Sequence, residues 1–187
     1  MKLITKAVVA LGAVILAGIA TPTVQAQAPS DSQIVGIVVA ANQIDINAAE
    51  LALSKSKNKQ IRDFAQQMID DHTALGKNVG DLVKKLNVTP ADSDTSSTLK
   101  QQATDETKKL KSLSGKAFDK EYIDHEVAYH KAVIDAASNT LIPNAQNVEL
   151  KSALQSAAPL FQGHLEHAEQ VQAALNGGSA MAGNHRH

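Results

Sequence analysis

The strongest constraint on the fold is the run Ile61, Ala65, Met68, His72, Leu75, Val79, Leu82 and Leu86, spaced by threes and fours. That spacing keeps one face of an α-helix apolar, whereas a strand repeats every two residues. Asn58 precedes the run as a cap, and Asn87 with Pro90 ends it. Ser30 and Gln33 have the spacing of a capping box. They open an earlier helix, running to about residue 56, with Ile34, Val38, Ile46, Ala49 and Leu53 on its apolar side. After a polar loop at 91–97, a shorter helix is expected over 99–113, and Gly115 punctuates. A helix over about 116–139 carries two stripes, one through Phe118, Tyr122, His125, Tyr129 and Val133, the other through Ile123, Val127, His130 and Ile134. Pro143-Asn144 is read as a turn. The last helix is expected over 145–175, with Phe161 and His164 inward and Asn176-Gly177-Gly178 as its stop.

No useful length of chain alternates with period two. Four helices of roughly 24 to 31 residues would be about 36 to 46 Å long. The expectation is an all-α fold: a ferritin-like four-helix bundle with an additional connecting helix. The bundle domain occupies 31–176, after a leader at 27–30, and residues 177–187 form a small-residue tail read as disordered.

The N-terminus is read as a targeting segment. Lys2 and Lys6 make a basic start, residues 7–20 are apolar and uncharged, and Val24-Gln25-Ala26 suits a signal peptidase. Residues 1–26 are therefore expected to be a cleavable signal peptide, cut after Ala26, giving a periplasmic or secreted protein. The rival reading is an uncleaved anchor, for which the stretch falls short of the roughly 20 apolar residues that span a bilayer. No segment after Ala26 reads as a transmembrane helix. Without Lys2 and Lys6 the 18 basic residues become 16 against 19 acidic ones, a net charge of −3. Charges of both signs are interspersed, so neither nucleic acid nor an acidic membrane is an expected partner. With no cysteine there are no disulfides, thiolate metal sites or thiol catalysis. A 3% aromatic content without Trp argues against carbohydrate stacking.

The informative residues are histidines at core positions. His72 and His164 stand where apolar residues are expected, and His130 lies on the second stripe of its helix. Glu50 follows Val39, Gln43 and Ile46 on the first helix. An unpaired buried polar group costs about 1–3 kcal/mol, so these side chains need partners. Bundles place metal ligands on facing helices in this way, and imidazole with carboxylate suits zinc, iron, copper or nickel. The competing reading is a hydrogen-bonded histidine network without metal. His72 and His130 come out level whether their helices run parallel or antiparallel. Glu50 and His164 share a height only in the parallel case, so one site and two polar layers both stay open. The paired Glu-x-x-His signature of di-iron bundles is absent, and ferroxidase chemistry is not expected. Glu126 and His130 form an i, i+4 pair. Asp70-Asp71 and His167 read as solvated, and His185 and His187 as incidental. There is no nucleophile turn or phosphate loop, so no catalytic residue is assigned. A hydrolase would have only metal-bound water to rely on.

Several stretches carry a family resemblance: Arg62-Asp63-Phe64-Ala65, Met68 to His72, Phe118-Asp119-x-x-Tyr122 leading to His130, and Pro159-Leu160 leading to His164-Leu165. Behind a signal peptide and a helix bearing Glu50, they resemble the exported bacterial ferritin-like family labelled domain of unknown function 4142. The likeness spans about residues 32–175. It implies a ferritin-like fold, an envelope location and recurring polar positions at Glu50, His72, Asp119, Tyr122, His130 and His164. It implies no activity. Two functions follow: an exported bundle that binds a transition metal for buffering or stress protection, or an envelope protein that binds a partner and has no metal.

Overall fold

The computed structural model describes residues 28–183, with side chains to residue 177. The expected signal peptide (1–26), His185 and His187 lie outside those residues. The fold is all-α, a ferritin-like four-helix bundle with a connecting helix. Its elements are α1 (Asp31–Lys55), α2 (Lys59–Leu86), α3 (Asp94–Ser112), α4 (Gly115–Ala136), a short α5 (Ile142–Asn144) and α6 (Val148–Gly183).

The caps explain the boundaries. Ser30 and Gln33 form the expected capping box, and Asn58 takes the amides of Gln60 and Ile61. Asn87 ends α2 in the left-handed region, at φ 51°. Helix α3 begins five residues before the first apolar position, because Ser93 and Ser96 make a second capping box. Helix α4 passes into a π-helical turn (Ala137–Leu141). Pro143 does not turn the chain: helical backbone runs on through Leu141 and Ile142, whose amide reaches the Ala137 carbonyl, and the break comes at the extended Ala145. Asn147 caps α6 instead, accepting from the amides of Glu149 and Leu150. Helix α6 also runs through Gly177 and Gly178 to Gly183 rather than stopping there. A glycine costs only about 1 kcal/mol in a helix interior and does not by itself end one.

Topology follows from a few contacts. The loop before α3 meets the start of α1, where the Ala91 amide donates to the Ser32 carbonyl at 2.9 Å. At the far end, Lys55 donates to the carbonyls of Leu110 (3.0 Å) and Lys111 (2.6 Å). Helix α3 therefore runs alongside α1 and returns the chain, so α4 is parallel to α2. The Asp31 carboxylate accepts from the Gln146 and Asn147 amides, placing the start of α6 beside the start of α1. Two apolar clusters fill the bundle. The upper one holds Phe64, Met68, Phe118, Tyr122 and Val171; the lower holds Ile34, Val35, Ile37, Leu141 and Leu150.

Gly36 marks the tightest approach. A Cβ there would lie 2.0 Å from the Ala91 carbonyl oxygen, so the loop between α2 and α3 rests directly on α1. Gly36→Ala should push that loop away and destabilise the fold by about 1–3 kcal/mol, the usual range for overpacking. Urea unfolding against wild type measures it.

Candidate metal centre

Between the two apolar clusters lies a polar layer. His72 of α2, His130 of α4 and His164 of α6 are all buried, at 4%, 1% and 1% exposure, and Asp45 of α1 joins them at 1%. The three rings converge: centroids are 6.2 Å apart for His72–His130, 5.2 Å for His72–His164 and 5.3 Å for His130–His164. One ring nitrogen from each lies within 4.8 Å of the other two. Of the two arrangements left open by the sequence, the structure has one layer and not two.

Each ring is held from behind by an oxygen. His72 Nδ1 is 2.9 Å from Asn42 Oδ1, one turn before Asp45 on α1. His130 Nδ1 is 3.0 Å from the Glu126 carbonyl in its own helix. His164 Nε2 is 2.9 Å from Asp71 Oδ2 on α2. An oxygen acceptor on one ring nitrogen fixes the proton there and leaves a lone pair on the other. The remaining nitrogens are His72 Nε2, His130 Nε2 and His164 Nδ1, all buried and without hydrogen bonds, as are both Asp45 carboxylate oxygens. Asp45 Oδ2 lies 3.1 Å from His72 Nε2 and 3.4 Å from His130 Nε2. Three helices thus deliver imidazole nitrogens to one small volume, and α1 sets Asp45 beside two of them.

The electrostatics of the layer set burial against nearby charge. Burial pushes the Asp45 carboxyl up, but contact with His72 and the charges of the three imidazoles outweigh it and hold it below the usual range. Burial pulls His130 and His164 below the ordinary imidazole value, against the opposing pull of Asp45 on the first and Asp71 on the second. Glu126 stands behind His130, with Oε2 3.5 Å from Nδ1. Burial first, and the Asp45 charge second, raise its carboxyl well above the usual range. A carboxyl whose folded pKa exceeds its unfolded value makes the fold lose stability as pH rises from that unfolded value, here about 4.5, toward the raised one. Glu126→Gln removes the titration, so its melting temperature should gain on wild type as pH rises from 4.5 to 8; thermal melts across that range test this.

The structure does not bring Glu50 to the site. Glu50 is exposed, and Asp45 takes the inward place. Five residues turn a helix through about 500°, leaving the two side chains roughly 140° apart. Asp71 is not a purely solvated residue, since it anchors His164 and its side chain is only 34% exposed. His167 is half-buried, bonded to Gln67 at 2.8 Å and set edge-on to Phe64. Tyr122 is buried one turn before Glu126, where burial raises its hydroxyl well above the usual range. Asp119 belongs to a different contact, accepting from the Ser56 hydroxyl and tying the α1–α2 turn to α4.

Solved structures with similar folds include CopM in its Cu(II)-bound form, at 19% identity and a TM-score of 0.58, covering 78% of this chain and 98% of that one. The apo form of CopM matches at 18% identity and the same TM-score, covering 76% and 95%. A DUF305 protein from Streptomyces coelicolor, described as secreted, matches at 12% identity and a TM-score of 0.64, covering 77% and 92%. At these identities the likeness shows the fold alone. No curated protein matches the sequence. Residues 19–171 match the family described as Domain of unknown function (DUF4142), and with that span covering most of the sequence, the chain belongs to this family.

Proposed function

We propose that the protein binds one divalent transition-metal ion inside the bundle, through His72 Nε2, His130 Nε2, His164 Nδ1 and Asp45, and acts in metal buffering or stress protection in the cell envelope. The observation that carries this reading is the orientation of the rings. Every outer nitrogen is tied to an oxygen, which leaves only acceptors facing inward. Acceptors packed this closely in a buried layer are compensated by a cation. Three imidazoles and a carboxylate are borderline ligands that suit copper(II), zinc, nickel or iron(II) rather than a soft monovalent ion. Because CopM was solved with Cu(II) bound, copper(II) is the first ion to test. The targeting segment at 1–26 supports a periplasmic or secreted location.

The test is elemental analysis and calorimetric titration of protein purified without an affinity tag. One copper(II) per chain is expected, and His130→Ala should lose it while keeping its helical circular dichroism. No stoichiometric uptake of copper, zinc, nickel or iron would reject the proposal.

One observation favours a second reading, a histidine network without metal. The 3.1 Å approach of His72 Nε2 to Asp45 becomes a hydrogen bond if the Asn42 amide is turned so that its NH2 faces His72 Nδ1. Nitrogen-15 spectra of the metal-free protein separate the two. The proton of His72 is on Nδ1 in the metal reading and on Nε2 in the network.

A further inference from the structure

Below the histidine layer the bundle is not filled. A partly open cavity of about 1070 Å³ runs between α1, α2, α4 and α6 toward the π-helical turn, with α3 along one side. Its walls are mostly aliphatic, formed by Leu75, Val79 and Leu82 of α2, Val133 of α4, and Leu154 and Phe161 of α6. Small residues explain why it stays open. Ala128, Ala132 and Ala136 follow at steps of four on α4, facing a cavity that Ala153 and Ala157 of α6 also line. The volume lies at the upper end of small-molecule sites.

The charge of the lining is one-sided. No Lys or Arg lines it among the described residues, whereas Asp45, Asp71 and Glu106 do. Glu106 is the informative one. It comes from α3, and its Oε1 is buried without a hydrogen-bond partner. Lys109, one turn on, is ion-paired with Glu121 instead. His125, also in the lining, is pulled by burial below the ordinary imidazole value. An anionic amphiphile would meet three carboxylates and no cation, while a protonated amine would give the orphaned oxygen its donor.

We propose that this cavity binds an amphiphilic cation, with its aliphatic body between α2, α4 and α6 and its ammonium group on Glu106. The cavity adjoins the proposed metal centre, with Asp45, Asp71, His72 and His130 along its upper rim, while the ammonium position at Glu106 does not require a metal.

The experiment uses metal-free full-length protein and the neutral fluorescent probe N-phenyl-1-naphthylamine, displaced in parallel by dodecylamine, dodecanol and dodecanoate near neutral pH. The probe should bind, and dodecylamine should displace it at a concentration on the order of tenfold below dodecanol, the effect of one charge-assisted hydrogen bond. Dodecanoate should be weakest. Glu106→Gln should bring amine and alcohol together while leaving copper(II) uptake as in wild type. Ala157→Phe, which fills the cavity, should reduce probe uptake in a chain that still shows the wild-type helical spectrum. No probe uptake by the folded wild type, equal displacement by amine and carboxylate, or an unchanged ranking in Glu106→Gln would overturn the proposal. Probe uptake that falls as the chain dimerises in sedimentation would also overturn it, assigning the cavity to a second copy of the protein.

Discussion

Copper(II) at a thousand times its dissociation constant should raise the unfolding free energy by about 4 kcal/mol, and His164→Ala should remove most of that gain. The size follows from linkage. An ion that binds only the folded chain stabilises it by RT times the logarithm of one plus the ratio of free ion to dissociation constant, and the unfolded chain cannot bring together ligands from four helices. His164 is the sharpest position to change, since Asp71 fixes its ring from a different helix. Acid should reverse the effect, because each ligand must give up its proton to bind. The metal-free protein should also weaken in acid. Burial lowers the folded-state values of His130 and His164 below 6.5. As pH falls through about 6.5, the unfolded imidazoles take up protons that the folded ones refuse, and stability drops toward the folded values. Above that pH this dependence vanishes. Calorimetry of the Glu126→Gln chain, which lacks the opposing carboxyl titration, from pH 5 to 8 with and without copper(II), should therefore give two curves that fall toward acid, the metal-loaded one more steeply. A metal-loaded melting temperature equal to the metal-free one at neutral pH would end the metal proposal.

The helical framework was legible because α2 is strongly amphipathic, so the phase of its stripe is unambiguous, and His72 lies on it. His130 and His164 lie on helices of much weaker amphipathicity, where only their spacing from neighbouring apolar residues marks them. Asp45 was not, because α1 is apolar on several sides. Val39 is 44% exposed and Ile34 fully buried, so composition does not reveal which face turns inward, and a stripe through Val39 and Ile46 leads to Glu50. The correct phase was nonetheless present. Four residues before the buried Ala49 stands Asp45, and three before that Asn42, whose carbonyl oxygen holds His72. Asp71 is not legible as a contact, because two adjacent aspartates look like a solvated face; one of them reaches across to α6. Helix ends set by side-chain caps were readable where the cap preceded an apolar run, as at Ser30 and Asn58. At Ser93 the following turn is polar and no apolar residue marks the start, and at Asn147 the Pro143-Asn144 signal just upstream masks the cap. The height of His164 shifts accordingly, since α6 begins at Val148 and not three residues earlier.

The two halves of the bundle should answer truncation very differently. Phe64→Ala in the upper half should cost about 3–5 kcal/mol, the usual loss for a fully buried aromatic. Phe64 is 0% exposed, with its ring 6.2 Å from Tyr122 and 5.2 Å from His167. For a domain of this size the melting temperature should fall by roughly 10 °C. Leu75→Ala, in the lower half, removes a side chain that already borders open space and is only half-buried. Half of the roughly 2 kcal/mol available from burying a leucine leaves a cost of about 1 kcal/mol. Urea unfolding of both variants measures the contrast. Its meaning lies in how the polar layer is supported. The close-packed upper cluster holds the histidine-bearing stretches of α2, α4 and α6 in register, so stability is concentrated on one side of the histidine layer. The other side is left apolar, open and free to accommodate a ligand. Equal costs at the two positions would show that the lower half closes in solution, and would remove the cavity along with the contrast.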